Sequence, residues 1–451
     1  LNSLNNIQTL YFVGIGGIGM SALARYFKMQ GKTVYGYDRA PSDLTDELIS
    51  EGIPVIFVDS VSEIPANIIA DKNTLVVYTP AVPKQNLILN YFYLEGFTLI
   101  KRAELLGEIS KNTLCLAVAG THGKTTTSAI LAHLLVECNM PITAFLGGIA
   151  ENYNSNFIFK GGEITVVEAD EFDRSFLHLR PDIACVTTMD ADHLDIYGNE
   201  AELENAFRTF VRFVGNEENV IIKKGLPLVG MTVGVESFAD YQAQNLRVEE
   251  GAYHFDLKTP TTTFTNLVFY LPGRHNLSNA IMAIGMAMLA GAPKECIPKA
   301  LAGFTGVKRR FSYKIRKENL VLIDDYAHHP TELDALFQAV DEMYPDDRKQ
   351  IVFQPHLFSR TLDFAEAFAE SLSQFDEVVL LDIYPAREEP IEGVTSQWLL
   401  DQIKSDKKRL VFKVALPEIL LKSTCRIKLI VGAGDIGAEV KRITKILDYE
   451  T

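Results

Sequence analysis

The residues Gly120-Thr121-His122-Gly123-Lys124-Thr125-Thr126 combine two glycines, a lysine and hydroxyl side chains in an order suited to holding a nucleotide's phosphates. Glycines let successive backbone N–H groups face an anion, Lys124 can reach the β/γ-oxygens, and Thr125 can ligate Mg²⁺. The expected ligand is ATP. The common GxxxxGK[ST] spacing would want a glycine where this chain has Val118, so the loop is a short variant. A glycine turn with an exposed lysine is the bland alternative. The apolar run 113–119 before the loop and the helix-like stretch 126–135 after it argue against that.

Two acidic clusters follow, Glu168-Ala169-Asp170-Glu171-Phe172-Asp173 and Asp190-Ala191-Asp192-His193-Leu194-Asp195, each just after an apolar run. Both are expected at the carboxyl edge of the sheet that carries the loop. Mg²⁺ takes oxygen ligands, so Glu168 beside Thr125 suits one metal ion and His193 could complete a second site. Asp190 and Asp195 read instead as turn and capping residues. Gly273-Arg274-His275-Asn276-Leu277-Ser278-Asn279 opens an apolar helix, with Asn276 expected near its N-cap and His275 and Asn279 one turn apart.

Further on, Asp324-Asp325-Tyr326-Ala327-His328-His329-Pro330 and Gln354-Pro355-His356-Leu357-Phe358-Ser359-Arg360 each follow an expected strand and precede a helix. Polar groups at neighbouring strand ends can converge on a ligand, and substrate contact ranks above metal binding for these histidines. Lys308, Arg309 and Arg310 offer cations, or a solvated linker. Two GxGxxG strings, Gly14 to Gly19 and Gly432 to Gly437, could each mark a dinucleotide site, and Asp38 stands near the place of a ribose-binding acid. Two nicotinamide sites beside one ATP loop are implausible. The first string therefore reads as a pyrophosphate-binding turn and the second as tight strand-to-helix packing.

Short apolar runs, turns and helical periodicity alternate over 9–100, resume at 113 and again at 320, which predicts parallel sheets flanked by helices. Residues 252–271 differ, alternating like antiparallel strands attached to the second unit. A length of 451 residues allows two to four domains, and three is the working number. The 43 Lys and Arg against 58 Asp and Glu give a net charge of −15, which argues against nucleic-acid or anionic-membrane partners. Cys115, Cys138, Cys185, Cys296 and Cys425 are odd in number and far apart, and read as buried thiols in a reducing cytoplasm. No apolar run is long enough to span a bilayer, and residues 1–6 lack the pattern of a signal peptide.

Taken in order, these strings resemble the Mur ligases of bacterial peptidoglycan synthesis. The resemblance is carried by Gly120 to Thr125, Gly14 to Met20, Glu168 to Glu171, Gly273 to Asn276, Arg309-Arg310-Phe311, Asp324 to Tyr326, His328 to Glu332, Gln354 to His356 and Tyr384 to Ala386. It implies three α/β domains: a Rossmann-like UDP-sugar domain over 1–107, a central ATPase over 108–313, and a Rossmann-like amino-acid domain over 314–451. It implies ATP-dependent joining of L-alanine to UDP-N-acetylmuramate through an acyl phosphate, with Mg²⁺, in a cytoplasmic monomer or homodimer. Gly16, Gly17, Ile18, Gly19, Met20, Asp38 and Arg102 would hold the UDP-sugar. Gly120 to Thr126, His275, Asn279 and Arg310 would hold ATP; Thr125, Glu168 and His193 the metal; and Lys124, Glu168 and His193 would carry catalysis. Tyr326, His328, His356 and Arg360 would surround the alanine. The chain departs from the family pattern at Phe172 and Leu357, and Ala206-Phe207-Arg208 lacks the lysine that is carbamylated in sister ligases.

Overall fold

The structure is a computed structural model that describes residues 4–190, 197, 199–249, 251–386 and 388–450. Among these residues the strands form three sheets of five, ten and six. The chain divides into two compact bodies. One comprises Leu1–Leu246, Phe255–Val268 and Ser278–Phe304, the other Arg247–His254, Phe269–Leu277 and Thr305–Thr451. No helix among the described residues is long and apolar enough to cross a membrane.

In the first body, β1 (Thr9–Val13), β2 (Thr33–Tyr37), β3 (Val55–Ile56), β4 (Leu75–Tyr78) and β5 (Thr98–Lys101) pair in the order β3-β2-β1-β4-β5, all parallel. The order reverses at β1, so a crevice opens beyond its carboxyl end, where Gly14 begins the first glycine string. Helix α1 (Ile18–Met29) follows and buries Met20, Leu23, Ala24 and Phe27, the spacing of one helical face.

The ten-stranded sheet contains β6 (Leu114–Ala119), β7 (Ile142–Ala150), β8 (Ser155–Phe159), β9 (Ile164–Glu168), β10 (Ile183–Val186), β11 (Val220–Lys223), β12 (Met231–Val235), β13 (Tyr241–Glu249), β14 (Ala252–Lys258) and β15 (Thr263–Phe269). Its order is β15-β14-β13-β12-β11-β10-β6-β9-β7-β8. Strand β6 lies between β10 and β9, parallel to both, so the ends of all three open on one edge. A single apolar cluster runs from Leu10 and Phe12 through Leu105 to Phe145, Val167 and Phe207, giving the two sheets of this body a shared core. At about 25 cal/mol per Å² of apolar surface, such burial outweighs any one polar contact.

Strands β14 and β15, from the stretch 252–271, belong to the ten-stranded sheet, while residues 247–254 and 269–277 group with the other body. There, β16 (Ser312–Arg316), β17 (Val321–Asp325), β18 (Lys349–Phe353), β19 (Glu377–Leu380), β20 (Lys408–Leu410) and β21 (Ile427–Val431) pair as β16-β17-β21-β18-β19-β20. All pairs are parallel except β16 with β17. A cut at 313/314 would fall inside β16.

One expectation is corrected here. Cys138 and Cys296 are joined as a disulfide, with Cα atoms 5.5 Å apart, while Cys115, Cys185 and Cys425 are free and buried. The pair joins the end of the Lys124–Glu137 helix to the start of the Ile297–Ala302 helix. Neither helix contains a CxxC pattern that could have announced it.

Candidate active site

The phosphate loop turns because two of its residues adopt backbone angles that favour glycine. Gly120 has φ +132°, and a Cβ there would lie 2.1 Å from Thr187 Oγ1; Gly123 has φ +83° and caps the Lys124–Glu137 helix. The loop is sewn to the end of β10. Thr121 N donates to Thr188 O at 3.1 Å, His122 N to Thr188 Oγ1 at 2.8 Å, and Asp190 N to Thr121 Oγ1 at 3.0 Å. The first-turn N–H groups of the helix that follows have no partner within the helix, which is the condition for binding an anion. Asp190, read from sequence as a turn residue, also lies 3.7 Å from His122 Nε2.

Lys124 Nζ donates to Gly120 O at 2.7 Å and to both carboxylate oxygens of Glu171, at 2.9 and 2.7 Å. Burial works against the ammonium, but Glu171, Asp170 and Glu168 outweigh it and raise its pKa, so Lys124 is charged. Glu168, paired in register with Val118, accepts from Thr125 Oγ1 at 3.0 Å and from Gly147 N at 2.9 Å. Hydroxyl and carboxylate oxygens this close make a donor set that fits Mg²⁺. His193 lies outside the described residues. Sequence reading placed Glu171 in the acidic cluster without giving it a role and missed Gly147 and the Thr187-Thr188 step; Glu171 and the two threonines bond the loop, and Gly147 bonds Glu168.

At the first glycine string, Gly14 N and Ile15 N donate to Tyr37 O, and Gly16 N donates to Asp38 Oδ2 at 2.7 Å. Asp38 therefore shapes the glycine turn itself. Arg102 lies over Gly19, where a Cβ would fall 2.6 Å from Nη1, and approaches Asp170 at 3.5 Å. The side chain of Met20 is buried in the core, leaving only its backbone at the loop. A cavity of about 120 Å³ is lined by Ile18, Gly19, Arg102, Gly147, Glu168 and Asp170, so the first turn of α1 and the metal-type carboxylate share one space.

Asn279 lies beneath the phosphate loop, its Oδ1 2.8 Å from where a Cβ on Gly123 would be. Asn276 lies near the helix start as expected, as the third residue of Arg274–Leu289, and its Nδ2 donates to Pro272 O at 2.6 Å. His275 precedes it in the same first turn.

In the other body, Tyr326, His328 and His356 gather at the ends of β17 and β18. Ring centroids are 5.4 Å apart for Tyr326 and His328, 6.0 Å for His328 and His356, and 5.7 Å for His356 stacked on Tyr384. Arg309 and Arg310 stand over the Tyr326 ring at 4.9 and 5.3 Å. His328 Nδ1 is 3.0 Å from Tyr326 O, and Glu332 Oε2 accepts from His328 N at 2.9 Å. Burial lowers the His328 pKa; Glu332 opposes this, while Arg360 and Arg310 add to it. Tyr384 and Glu332 were not among the expected site residues. The second glycine string does pack tightly: a Cβ on Gly434 would fall 2.4 Å from Gln354 Oε1, and one on Gly437 would fall 2.4 Å from Arg309 Cζ.

Three family models match in succession: the Mur ligase family catalytic domain over residues 9–113, the Mur ligase middle domain over 118–287, and the Mur ligase glutamate ligase domain over 309–426. The chain belongs to the Mur ligase family. Among Mur ligases, it is 58% identical to the UDP-N-acetylmuramate–L-alanine ligase of Flavobacterium psychrophilum, over 99% of each chain. It is 55% identical to that of Christiangramia forsetii over the full length of both. The crystal structure of UDP-N-acetylmuramate-alanine ligase MurC from Thermotoga maritima superposes with a TM-score of 0.84 at 28% identity, covering 98% of this chain and 100% of that one. A murein peptide ligase from Psychrobacter arcticus shares the fold, with a TM-score of 0.69 at 21% identity over 98% of each chain. The match confirms the three-domain Mur ligase architecture, with Rossmann-like outer domains around a central ATPase domain.

Proposed function

We infer that this chain is an ATP-dependent ligase that joins L-alanine to the lactyl carboxylate of UDP-N-acetylmuramate in peptidoglycan precursor synthesis. The observation that carries the reading is the meeting of Lys124, Thr125 and Glu168 beside a cavity that begins at the first turn of α1. Full-length identity of 58% and 55% to two L-alanine ligases supports the choice of amino acid.

In this reading the sugar nucleotide's diphosphate rests on the Gly14–Gly19 turn and the amino end of α1. Its lactyl carboxylate enters the cavity, and an oxygen attacks the γ-phosphorus of ATP. The bond to ADP breaks, leaving an acyl phosphate. Lys124 follows the charge on the transferring phosphoryl group, and the loop N–H groups hold the β-phosphate. Thr125 and Glu168 would hold Mg²⁺, which when bound neutralises phosphate charge; His193 is proposed as a further ligand. Asn279 supports the loop, and His275 and Arg310 are assigned to ATP. Tyr326, His328, His356 and Arg360 are assigned to L-alanine, whose amine displaces phosphate from the acyl carbon. No covalent enzyme nucleophile is required.

Phosphate release is measured with ATP, Mg²⁺ and UDP-N-acetylmuramate, adding L-alanine, glycine, L-serine, D-glutamate and the L-alanyl tripeptide in turn. L-Alanine should give the highest kcat/KM, and a faster reaction with the tripeptide would overturn the reading. Lys124→Ala should lower kcat by about 10²- to 10³-fold, the scale for losing one preorganised cation or donor.

A further inference from the structure

Asn156 lies in β8, a strand to which the proposed chemistry assigns no role, and is fully buried. Its amide is committed at both ends. Nδ2 donates to the Ile18 carbonyl at 2.6 Å and to Ser21 Oγ at 2.9 Å, while Oδ1 accepts from Arg25 Nη1 at 2.5 Å. Because a guanidinium only donates, the oxygen end of the amide is fixed by chemistry. Arg25 is itself held by Glu47 and Glu51 on the same side.

These contacts join two functional elements. Ile18, inside the glycine string, and Ser21, two residues past its end, belong to the first turn of α1, and Ser21 Oγ also donates to Ile18 O at 2.9 Å. Strand β8 pairs with β7, and β7 sends Gly147 N to Glu168 Oε2 at 2.9 Å; the other oxygen of Glu168 takes the Thr125 hydroxyl at 3.0 Å. A path thus runs from the diphosphate turn to the ATP loop, by hydrogen bonds at its two ends and through the β7–β8 pairing between them, whose register shifts between Phe145 and Ala150. Apolar contacts already press α1 on this sheet, with Tyr26 5.5 Å from Phe145 and 6.2 Å from Phe157 between ring centroids. Apolar contact is non-directional and does not set register. A buried amide with three partners does, since any slip leaves polar groups unpaired.

We propose that Asn156 is a positioning residue that fixes the diphosphate turn in register with Glu168 and the phosphate loop, so that the lactyl carboxylate meets the γ-phosphate in line. The proposal rests on the ligase reading above. It predicts a particular pattern: each substrate keeps its own binding surface, while their mutual alignment is lost. Misplacement by about 1 Å costs on the order of 10²-fold in rate.

The test is Asn156→Asp in the full chain, which retains the contact to Arg25 but can no longer donate to Ile18 or Ser21. ADP and UDP-N-acetylmuramate binding are measured by calorimetry, and kcat by phosphate release. The expected result is a kcat lower by about tenfold or more, with both Kd values within about threefold of the parent. Thr143→Val is the control for stability alone, since its buried hydroxyl donates to Gly161 O at 2.8 Å and takes no part in the path; its kcat should be unchanged. A kcat for Asn156→Asp within about twofold of the parent, or a loss mirrored in both Kd values, overturns the proposal. Should that variant fail to fold, Ser21→Ala removes one acceptor of the same amide and should lower kcat about threefold; an unchanged kcat there overturns it equally. A parent protein without alanine-dependent phosphate release would strike the ligase reading instead, so the two failures are distinct.

Discussion

Gly147 carries no reactive group, yet a Cβ on it would lie 2.1 Å from Glu168 Oε2 and 2.5 Å from Cδ. Its backbone N–H also holds that carboxylate. Gly147→Ala should therefore push Glu168 away from Thr125, lowering kcat by about 10²-fold through misplacement. The Mg²⁺ concentration for half-maximal activity should rise, and a metal titration of turnover checks both. Unchanged Mg²⁺ dependence would mean that Glu168 does not hold the metal. His328 gives a second prediction at this scale. Its pKa is lowered from 6.5 on folding, chiefly by burial, so between the depressed value and 6.5 the unfolded chain binds more protons than the folded one. Stability from this group is complete above pH 6.5 and is lost as pH falls through that window. His328→Gln should flatten the decline in thermal midpoint on acidification, and a parallel decline in the variant would refute the assignment.

Elements explain why some of these residues were legible in the sequence and others were not. Lys124, Thr125 and Glu168 sit at the ends of β6 and β9, and each follows an apolar run that advertises a buried parallel strand. Their meeting followed from strand ends sharing one edge. Gly147 and Asn156 lie on β7 and β8, whose sequences Ile142-Thr143-Ala144-Phe145-Leu146-Gly147-Gly148-Ile149-Ala150 and Ser155-Asn156-Phe157-Ile158-Phe159 carry no comparable signal of position. Only the pairing of β7 with β9 brings Gly147 to Glu168. The disulfide was illegible for the same reason, since its cysteines are 158 residues apart and meet through helix packing. Closing so long a loop stabilises typically by about 2–4 kcal/mol, through restriction of the unfolded chain. The thermal midpoint of the oxidised protein should fall on adding dithiothreitol, and Cys296→Ser should abolish that difference. A further prediction concerns the Pro330–Met343 helix, where His329 and Glu332 form a reciprocal cap and Glu332 also holds His328 N. Glu332→Ala should cost about 1 kcal/mol, read from denaturant unfolding, and weaken L-alanine as judged by its KM more than that of ATP. Equal effects on both KM values would detach the cap from the amino-acid cluster.

At the scale of the whole molecule, the net charge of −15 means that two polyanionic substrates must be drawn in by local features rather than by the overall field. The features assigned to them, the two glycine turns with their helix ends, belong to the same body, and its two sheets share one apolar cluster containing Leu23, Leu105, Phe145 and Phe207. Sheets that share a core unfold together. ADP with Mg²⁺ and UDP-N-acetylmuramate, although assigned to different sheets, should therefore raise one and the same calorimetric transition. At about 100 times Kd each ligand contributes about 2.7 kcal/mol, a shift of about 4 °C for a body of this size. The two together should raise that transition further, because both bind the same folded unit. If each ligand instead moved a separate transition, the sugar-nucleotide and ATP sheets would be independent folding units. The path from Ile18 through Asn156 to Glu168 could not then fix their register.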